Sequence, residues 1–211
     1  MKTCLAYLLL LYVCTSASVL AQQIDSTNKE YTMLEEALKE PNKVYRLNLS
    51  NQTFTSFPLE IIRFQNLQYL SLRNDHFKFI PKEISNLRNL RVLDLSGNDF
   101  STLPKEFTSL INLEELYLNQ DNKLNLSQDF DILSQLPKLK ILHLEQDNLR
   151  KLPRNVSRLQ NIEQLYLNNN SFHHIPKELK SIKKLQYIDL RNNKYPINPN
   201  ELKGFGGKIK F

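Results

Sequence analysis

The chain has 211 residues, of which 41% are hydrophobic and 24% are charged, a composition that favours a folded protein and excludes long disordered segments. It contains only four glycines, which argues against glycine-rich phosphate-binding loops. The formal net charge is +6, but the basic residues are dispersed among acidic and apolar ones, so we expect no nucleic acid partner.

Residues 1–21 have the pattern of a signal peptide. Lys2 gives a minimal positive start, residues 5–13 form a short apolar run, and small residues lead up to Ala21. We therefore expect cleavage near Ala21–Gln22 and a secreted or cell-surface protein, with periplasmic retention as an alternative. No apolar segment approaches the ~20 residues of a membrane-spanning helix, so we expect no integral membrane span.

Both cysteines, Cys4 and Cys14, lie inside this leader. The mature chain would therefore contain no disulfide, cysteine nucleophile or cysteine metal site. Lipidation of Cys14 is an alternative, although Val13 precedes it where a lipoprotein signal has a small residue.

Residues 22–43 predict an N-terminal cap built around a helix. Residues 31–39 are good helix formers, Thr32 and Glu35 have the spacing of a capping box, and Pro41 follows as a stop signal. On a helix, one face would carry the apolar residues Met33, Leu34, Ala37 and Leu38.

Residues 44–194 contain seven repeats, the last of them partial. Each follows the pattern L-x-x-L-x-L-x-x-N-x-L-x-x-L-P-x-x-I-x-x-L, and successive units are 23 residues apart except for one spacing of 26. The repeats begin at Val44, Leu67, Leu90, Leu113, Leu139, Ile162 and Leu185.

This pattern is that of a leucine-rich repeat, and its chemistry predicts the fold. Leucines alternating with a polar residue suit a short strand with one buried face. Leu-Pro favours an extended link, and the three-residue spacing that follows suits a helical or 3-10 turn. We therefore predict an α/β leucine-rich repeat solenoid with a parallel sheet on the concave face, short helical or 3-10 turns on the convex face, and an N-terminal cap helix.

The position at which each strand turns is not uniform. An Asn side chain there can bond to backbone groups, whereas an ionised Asp only accepts hydrogen bonds. Loss of one donor bond is the simpler interpretation and a calcium or metal ladder is the alternative, so Asp147→Asn should be neutral or slightly stabilising. The residues at this position are Gln52, Asp75, Asn98, Asp121, Asp147, Asn170 and Asn193.

The fourth repeat and the C-terminus depart from the pattern. Residues 125–133 carry three extra residues and no Leu-Pro, so we expect a bulge on the loop or convex side, serving either as a binding loop or as a tolerated insertion. Residues 195–211 predict a C-terminal cap, in which residues 195–199 break the repeat. The apolar residues of the closing segment are Leu202, Phe205, Ile209 and Phe211.

The chain resembles the secreted leucine-rich repeat proteins that are abundant in leptospiral spirochaetes. The resemblance rests on the cap segment 36–41 leading into 44–52, and on the Pro-Lys-Glu units at Pro81, Pro104 and Pro176. It implies a bacterial exported protein of the kind proposed to bind host molecules. It also implies no shared catalytic residue, and the 26-residue repeat and Asp-rich turns leave partner specificity open.

No motif for nucleophilic, phosphate-binding or zinc-dependent catalysis occurs, so we expect neither an enzyme nor a cofactor. His173 and His174 are adjacent but have no obvious third ligand, and a solvated loop pair is favoured over zinc.

The concave strand face is the candidate protein-binding site. Its middle row places Tyr117, His143 and Tyr166 side by side, either as an interface hot spot or as a stack that only stabilises the sheet. The other candidate residues are Asp94, Asp189, Tyr69, Tyr187, Glu145 and Ile141, with Arg73 and Arg191 as rim charges.

These features favour a monomeric binding module for a protein partner, on a host surface or in the extracellular space. An inhibitor or regulator of an enzyme would use the same face. A structural envelope protein without a specific ligand is a further alternative.

Overall fold

The computed structural model describes residues 29–121, 123–194 and 203–211. The predicted signal peptide, its cleavage site and the break at residues 195–199 lie outside these ranges. Within the described ranges, no helix is long and apolar enough to cross a membrane.

Nine short strands form one parallel sheet in chain order. Strands β2 to β8 fall one to a repeat, and the strand leucines pair with their equivalents in the neighbouring repeats, as Leu70 does with Leu93. The predicted solenoid is therefore confirmed. The strands are β1 Glu30–Tyr31, β2 Arg46–Asn48, β3 Tyr69–Ser71, β4 Val92–Asp94, β5 Glu115–Tyr117, β6 Ile141–His143, β7 Gln164–Tyr166, β8 Tyr187–Asp189 and β9 Lys208–Lys210.

The opposite, convex side is built from short 3-10 helices. In five of the repeats a proline occupies the position before the helix, where its fixed φ and missing N–H cost nothing. Between the two sides the repeat leucines and the fully buried Phe100, Phe107 and Phe172 form one continuous core. The 3-10 helices are Pro41–Lys43, Leu59–Arg63, Lys82–Asn86, Lys105–Ser109, Arg154–Arg158 and Lys177–Ser181.

The turn position is a ladder of side chains that satisfies the backbone. The Nδ2 of Asn98 donates to the carbonyls of Leu72 and Leu95 at 2.9 and 2.7 Å, as we expect for an Asn at the position where the chain turns off the strand. At Asp147 and Asp121 one oxygen accepts a backbone N–H, while the buried Oδ2 has no hydrogen-bond partner among the described residues. Burial raises the pKa of Asp147 to about 7 and that of Asp121 to about 8.

The N-terminal cap differs from the prediction. Strand β1 extends the sheet by one strand, and the helix α1 is a single turn, Leu34–Ala37. The predicted capping box is wrong, because the helix starts after Met33 with no side-chain cap and Met33 is 58% exposed. A hydrogen bond from Gln52 Nε2 to the Thr32 carbonyl, 2.9 Å long, ties the cap to the first repeat.

The extra residues of the fourth repeat lie on the convex side, where they form a regular helix. Helix α2, Leu126–Leu133, is capped by Asn125 Oδ1, which accepts the Gln128 N–H. Asp129 is completely buried and accepts hydrogen bonds from Leu103 N at 2.9 Å and Thr102 Oγ1 at 3.0 Å. These bonds attach α2 to the preceding repeat on the convex side.

The C-terminal closing segment is a strand. Strand β9 pairs with β8, and the half-buried Ile209 and Phe205 pack against the core. Phe211 is 37% exposed, and Leu202 lies outside the described residues.

Candidate functional site

The register of the sheet aligns the candidate residues of the concave face. Asp94 pairs with Tyr117, Tyr117 with His143, His143 with Tyr166, and Tyr166 with Asp189. Because side chains of one face in neighbouring strands are held ~4.8 Å apart, aromatic rings in such a row are forced into contact.

The three central rings form a continuous stack. The ring of His143 lies 3.9 Å from that of Tyr117 and 4.3 Å from that of Tyr166, and the planes differ by 11° and 7°. Tyr187 follows in a tilted contact with Tyr166, at 5.4 Å and 50°. The stack makes the central tyrosine rings rigid before any partner arrives, which reduces the entropy lost on binding.

His143 is held between two carboxylates. Its Nε2 lies 3.1 Å from Glu115 Oε1 and its Nδ1 lies 3.2 Å from Glu145 Oε1. Burial lowers the pKa of His143, but the two carboxylates outweigh it, so the pKa is raised above its ordinary value of 6.5. Below this raised pKa the doubly protonated imidazole donates one hydrogen bond to each carboxylate, since a carboxylate only accepts hydrogen bonds.

The carboxylates are coupled to the tyrosines. Tyr117 donates its hydroxyl hydrogen bond to Glu115 Oε1 at 2.6 Å. The pKa of Glu115 is lowered, mainly by the hydrogen bond from His143. The pKa of Tyr117 is raised, first by burial and second by its hydrogen bond to Glu115. Asp94 lies beside Tyr117 in the neighbouring strand, so the centre of the face carries three carboxylates and one imidazole and is acidic.

Two candidate residues are less exposed than their strand positions suggest. His143 is 8% exposed because tyrosine rings cover both of its faces. Asp189 is 1% exposed because Arg191 covers it with an ion pair of 2.6 Å, so Arg191 is not a free rim charge. Both side chains therefore present little surface of their own on the concave face.

The remaining candidates lie around this centre. Arg73 is exposed, whereas Ile141 and Tyr69 are half-buried, and the Arg46 guanidinium lies 4.2 Å above the Tyr69 ring. Tyr69 and Ile141 also line a cleft of about 470 Å³ along the edge where the strands begin.

Sequence reasoning left Glu115 out of the site, although it contacts both His143 and Tyr117. The signal was present: an acid stands two positions before the aromatic in one repeat, and Glu145 stands two positions after His143 in the next. In the described residues, no group of three or more His, Cys, Asp or Glu side chains is arranged to hold a metal ion.

Comparison with known proteins places most of the chain in one family. Residues 43–137 match the model of the leucine-rich repeat region, and residues 137–194 match that of the leucine rich repeat. A search of curated proteins gives no significant match.

Several solved structures are similar. A leucine-rich repeat protein of Leptospira interrogans is 27% identical with a TM-score of 0.58, the match covering 86% of this chain and 58% of that one. Internalin C2 of Listeria monocytogenes is 21% identical with a TM-score of 0.60 and coverages of 77% and 67%. The Drosophila Toll–Spatzle complex is 20% identical with a TM-score of 0.66 and coverages of 78% and 23%. The chain thus spans little more than half of the leptospiral protein, and the latter two show the fold alone.

Proposed function

Because the chain belongs to the leucine-rich repeat family, whose members are generally non-catalytic binding modules, we propose that it binds a protein partner through its concave face. The observation that carries the proposal is the ordered stack of Tyr117, His143 and Tyr166 on that face. Aromatic side chains with a polar tip supply large contact area and a hydrogen-bonding group, and they are enriched among interface hot spots.

The charge of the face determines which partners it suits. Asp94, Glu115 and Glu145 make its centre acidic, and the half-buried Tyr166 and Tyr187 lie beside them. A partner segment with Lys or Arg side chains would meet these carboxylates, which favours ion pairing, and its aliphatic stems would pack beside the tyrosine rings.

We also propose that the protein acts on a host-surface or extracellular partner after export. Support comes from the signal-peptide pattern of residues 1–21 and from the resemblance to exported bacterial repeat proteins.

The test is binding of the chain without residues 1–21 to an array of host extracellular and surface proteins. The concave variant is Tyr166→Ala/Tyr187→Ala, which leaves His143 stacked on Tyr117 and between its carboxylates. The matched control is Phe79→Ala/Ile111→Ala, which removes two apolar side chains that are 65% and 51% exposed away from this face.

We expect a partner whose affinity falls at least about tenfold in the concave variant and is unchanged in the control. Equal affinity of all three proteins, or loss only in the control, would contradict the concave site. Absence of any binder on the array would contradict the proposed class of partner.

A further inference from the structure

A second cleft lies away from the concave face, between the loops of repeats five and six. It encloses about 660 Å³ where the chain leaves each turn for the convex side. Leu152, Pro153, Ile175 and Pro176 supply its apolar walls. Its volume falls within the range of sites that hold a peptide side chain or a small ligand.

The rim of this cleft is strongly basic. Four exposed cations line it, namely Arg150, Lys151, Arg154 and Lys177. Against them, the described lining residues contain a single carboxylate, that of Glu178. Four positive charges around one groove attract an anionic partner and raise its rate of association.

The excess of positive charge has a clear origin in the repeat. At the equivalent position, three other repeats carry Pro-Lys-Glu, whereas repeat five has Arg154 followed by Asn155. The Asn155 side chain turns towards α2 and donates to the Ser127 carbonyl at 2.7 Å and to Asp131 Oδ1 at 2.8 Å. Asp131 itself pairs with Arg158, so it does not neutralise Arg154.

In the described part of the chain, none of the four rim cations forms an ion pair. Other cations do pair across repeats, as Arg91 does with Glu114 at 3.1 Å and Lys123 with Asp99 at 2.8 Å. Among the described residues, these four positive charges are therefore left without a carboxylate in ion-pair contact.

We propose that this cleft binds an extended acidic segment of a protein partner, with its carboxylates on the rim cations and one apolar side chain against the prolines. Charge complementarity selects an anion. The apolar walls favour a peptide over a sulfated sugar, and Phe172, whose ring is the largest aromatic one in the lining, is buried and offers no platform for a nucleic acid base. This surface is distinct from the acidic concave face.

The probe is a short fluorescein-labelled peptide in which glutamates flank a central leucine, titrated with the full chain by fluorescence anisotropy. The test variant is Arg154→Glu/Lys177→Glu. The matched control is Lys82→Glu/Lys105→Glu, which changes the same repeat position outside the cleft and alters the net charge equally.

We expect the peptide to bind less tightly as salt increases. The test variant should lose at least about tenfold in affinity, because two attractions become repulsions, while the control stays within about twofold. Replacing the central leucine by serine should weaken binding as well.

Three outcomes would overturn the proposal. Equal loss in both double variants would mean that only net charge matters. Undetectable peptide binding would remove the site. Tighter binding of a sulfated oligosaccharide or of single-stranded RNA, lost in the test variant, would assign the cleft to a different class of ligand.

The proposed function on the concave face can fail or hold independently. Tyr166→Ala/Tyr187→Ala should bind the acidic peptide as the unmodified chain does. Arg154→Glu/Lys177→Glu should retain the partner of the concave face.

Discussion

Replacing Asp147 by Asn should stabilise the solenoid in a way that depends on pH. Asp147 occupies the turn position of its repeat, and Asn170 occupies the same position in the next repeat. There the Nδ2 of Asn170 donates to the carbonyls of Leu144 and Leu167, at 2.7 and 3.0 Å. The corresponding oxygen of Asp147, Oδ2, is buried and has no hydrogen-bond partner in the part of the chain that the structure describes. An ionised carboxylate at this position can only accept hydrogen bonds, yet the surrounding groups that Asn contacts in the equivalent position are carbonyls, which are acceptors too.

The magnitude follows from the pKa. Burial raises the pKa of Asp147 from 3.8 to about 7, and each pKa unit corresponds to about 1.4 kcal/mol, so the ionised form costs up to about 4 kcal/mol. A raised folded-state pKa means that the native state holds its proton longer than the unfolded chain. This stability is complete below pH 3.8 and is lost as the pH rises through about 7.

Urea titrations followed by circular dichroism, at about pH 4 and about pH 8, measure the effect. Asp147→Asn should raise the free energy of unfolding by at least about 1 kcal/mol at the higher pH and by almost nothing at the lower one. Asn170→Asp is the matched reversal and should destabilise mainly at the higher pH. Equal effects at both values, or destabilisation by Asp147→Asn at about pH 8, would refute the reasoning.

Two further predictions concern other buried charges. His143→Phe should keep the ring stack but leave two carboxylates without their cation, at a cost of about 3 kcal/mol in the free energy of unfolding. Since the pKa of His143 is raised, its contribution to the free energy of unfolding is present below pH 6.5 and is lost as the pH rises above it. The variant should therefore lack this part of the dependence of stability on pH. An unchanged dependence would contradict the ion pairs. Asp129→Ala should cost about 1–3 kcal/mol in the free energy of unfolding, because Leu103 N and Thr102 Oγ1 lose their acceptor. Thermal unfolding measures this loss, and the exposed control Gln128→Ala should have little effect. Equal losses in both variants would contradict the anchoring of α2.

The repeat pattern predicts most of the fold because one rule recurs. Strands β2 to β8 each place a central leucine or isoleucine on the buried side, so the spacing of these residues also fixes the register, and Leu70 must meet Leu93. The same regularity predicts which residues share the concave face and that Tyr117 and Tyr166 flank His143. A periodic sequence thus predicts both the sheet and the row.

Structural features that occur only once in the chain could not be predicted from the repeat pattern. Strands β1 and β9 carry no leucine pattern and form because the exposed edges of the sheet offer unpaired backbone groups. Helix α2 depends on a buried Asp129 that finds donors in the preceding repeat. The charged surroundings of His143 depend on Glu115, in a neighbouring strand, and on Glu145, two residues after His143.

The most direct test of the binding role is hydroxyl-radical footprinting of the chain with and without a partner captured on the protein array. We expect protection of Tyr166 and Tyr187 on the concave face, while the exposed Met33 and Phe79 react as before. Protection of Met33 or Phe79 without protection of the tyrosines would contradict a concave binding site.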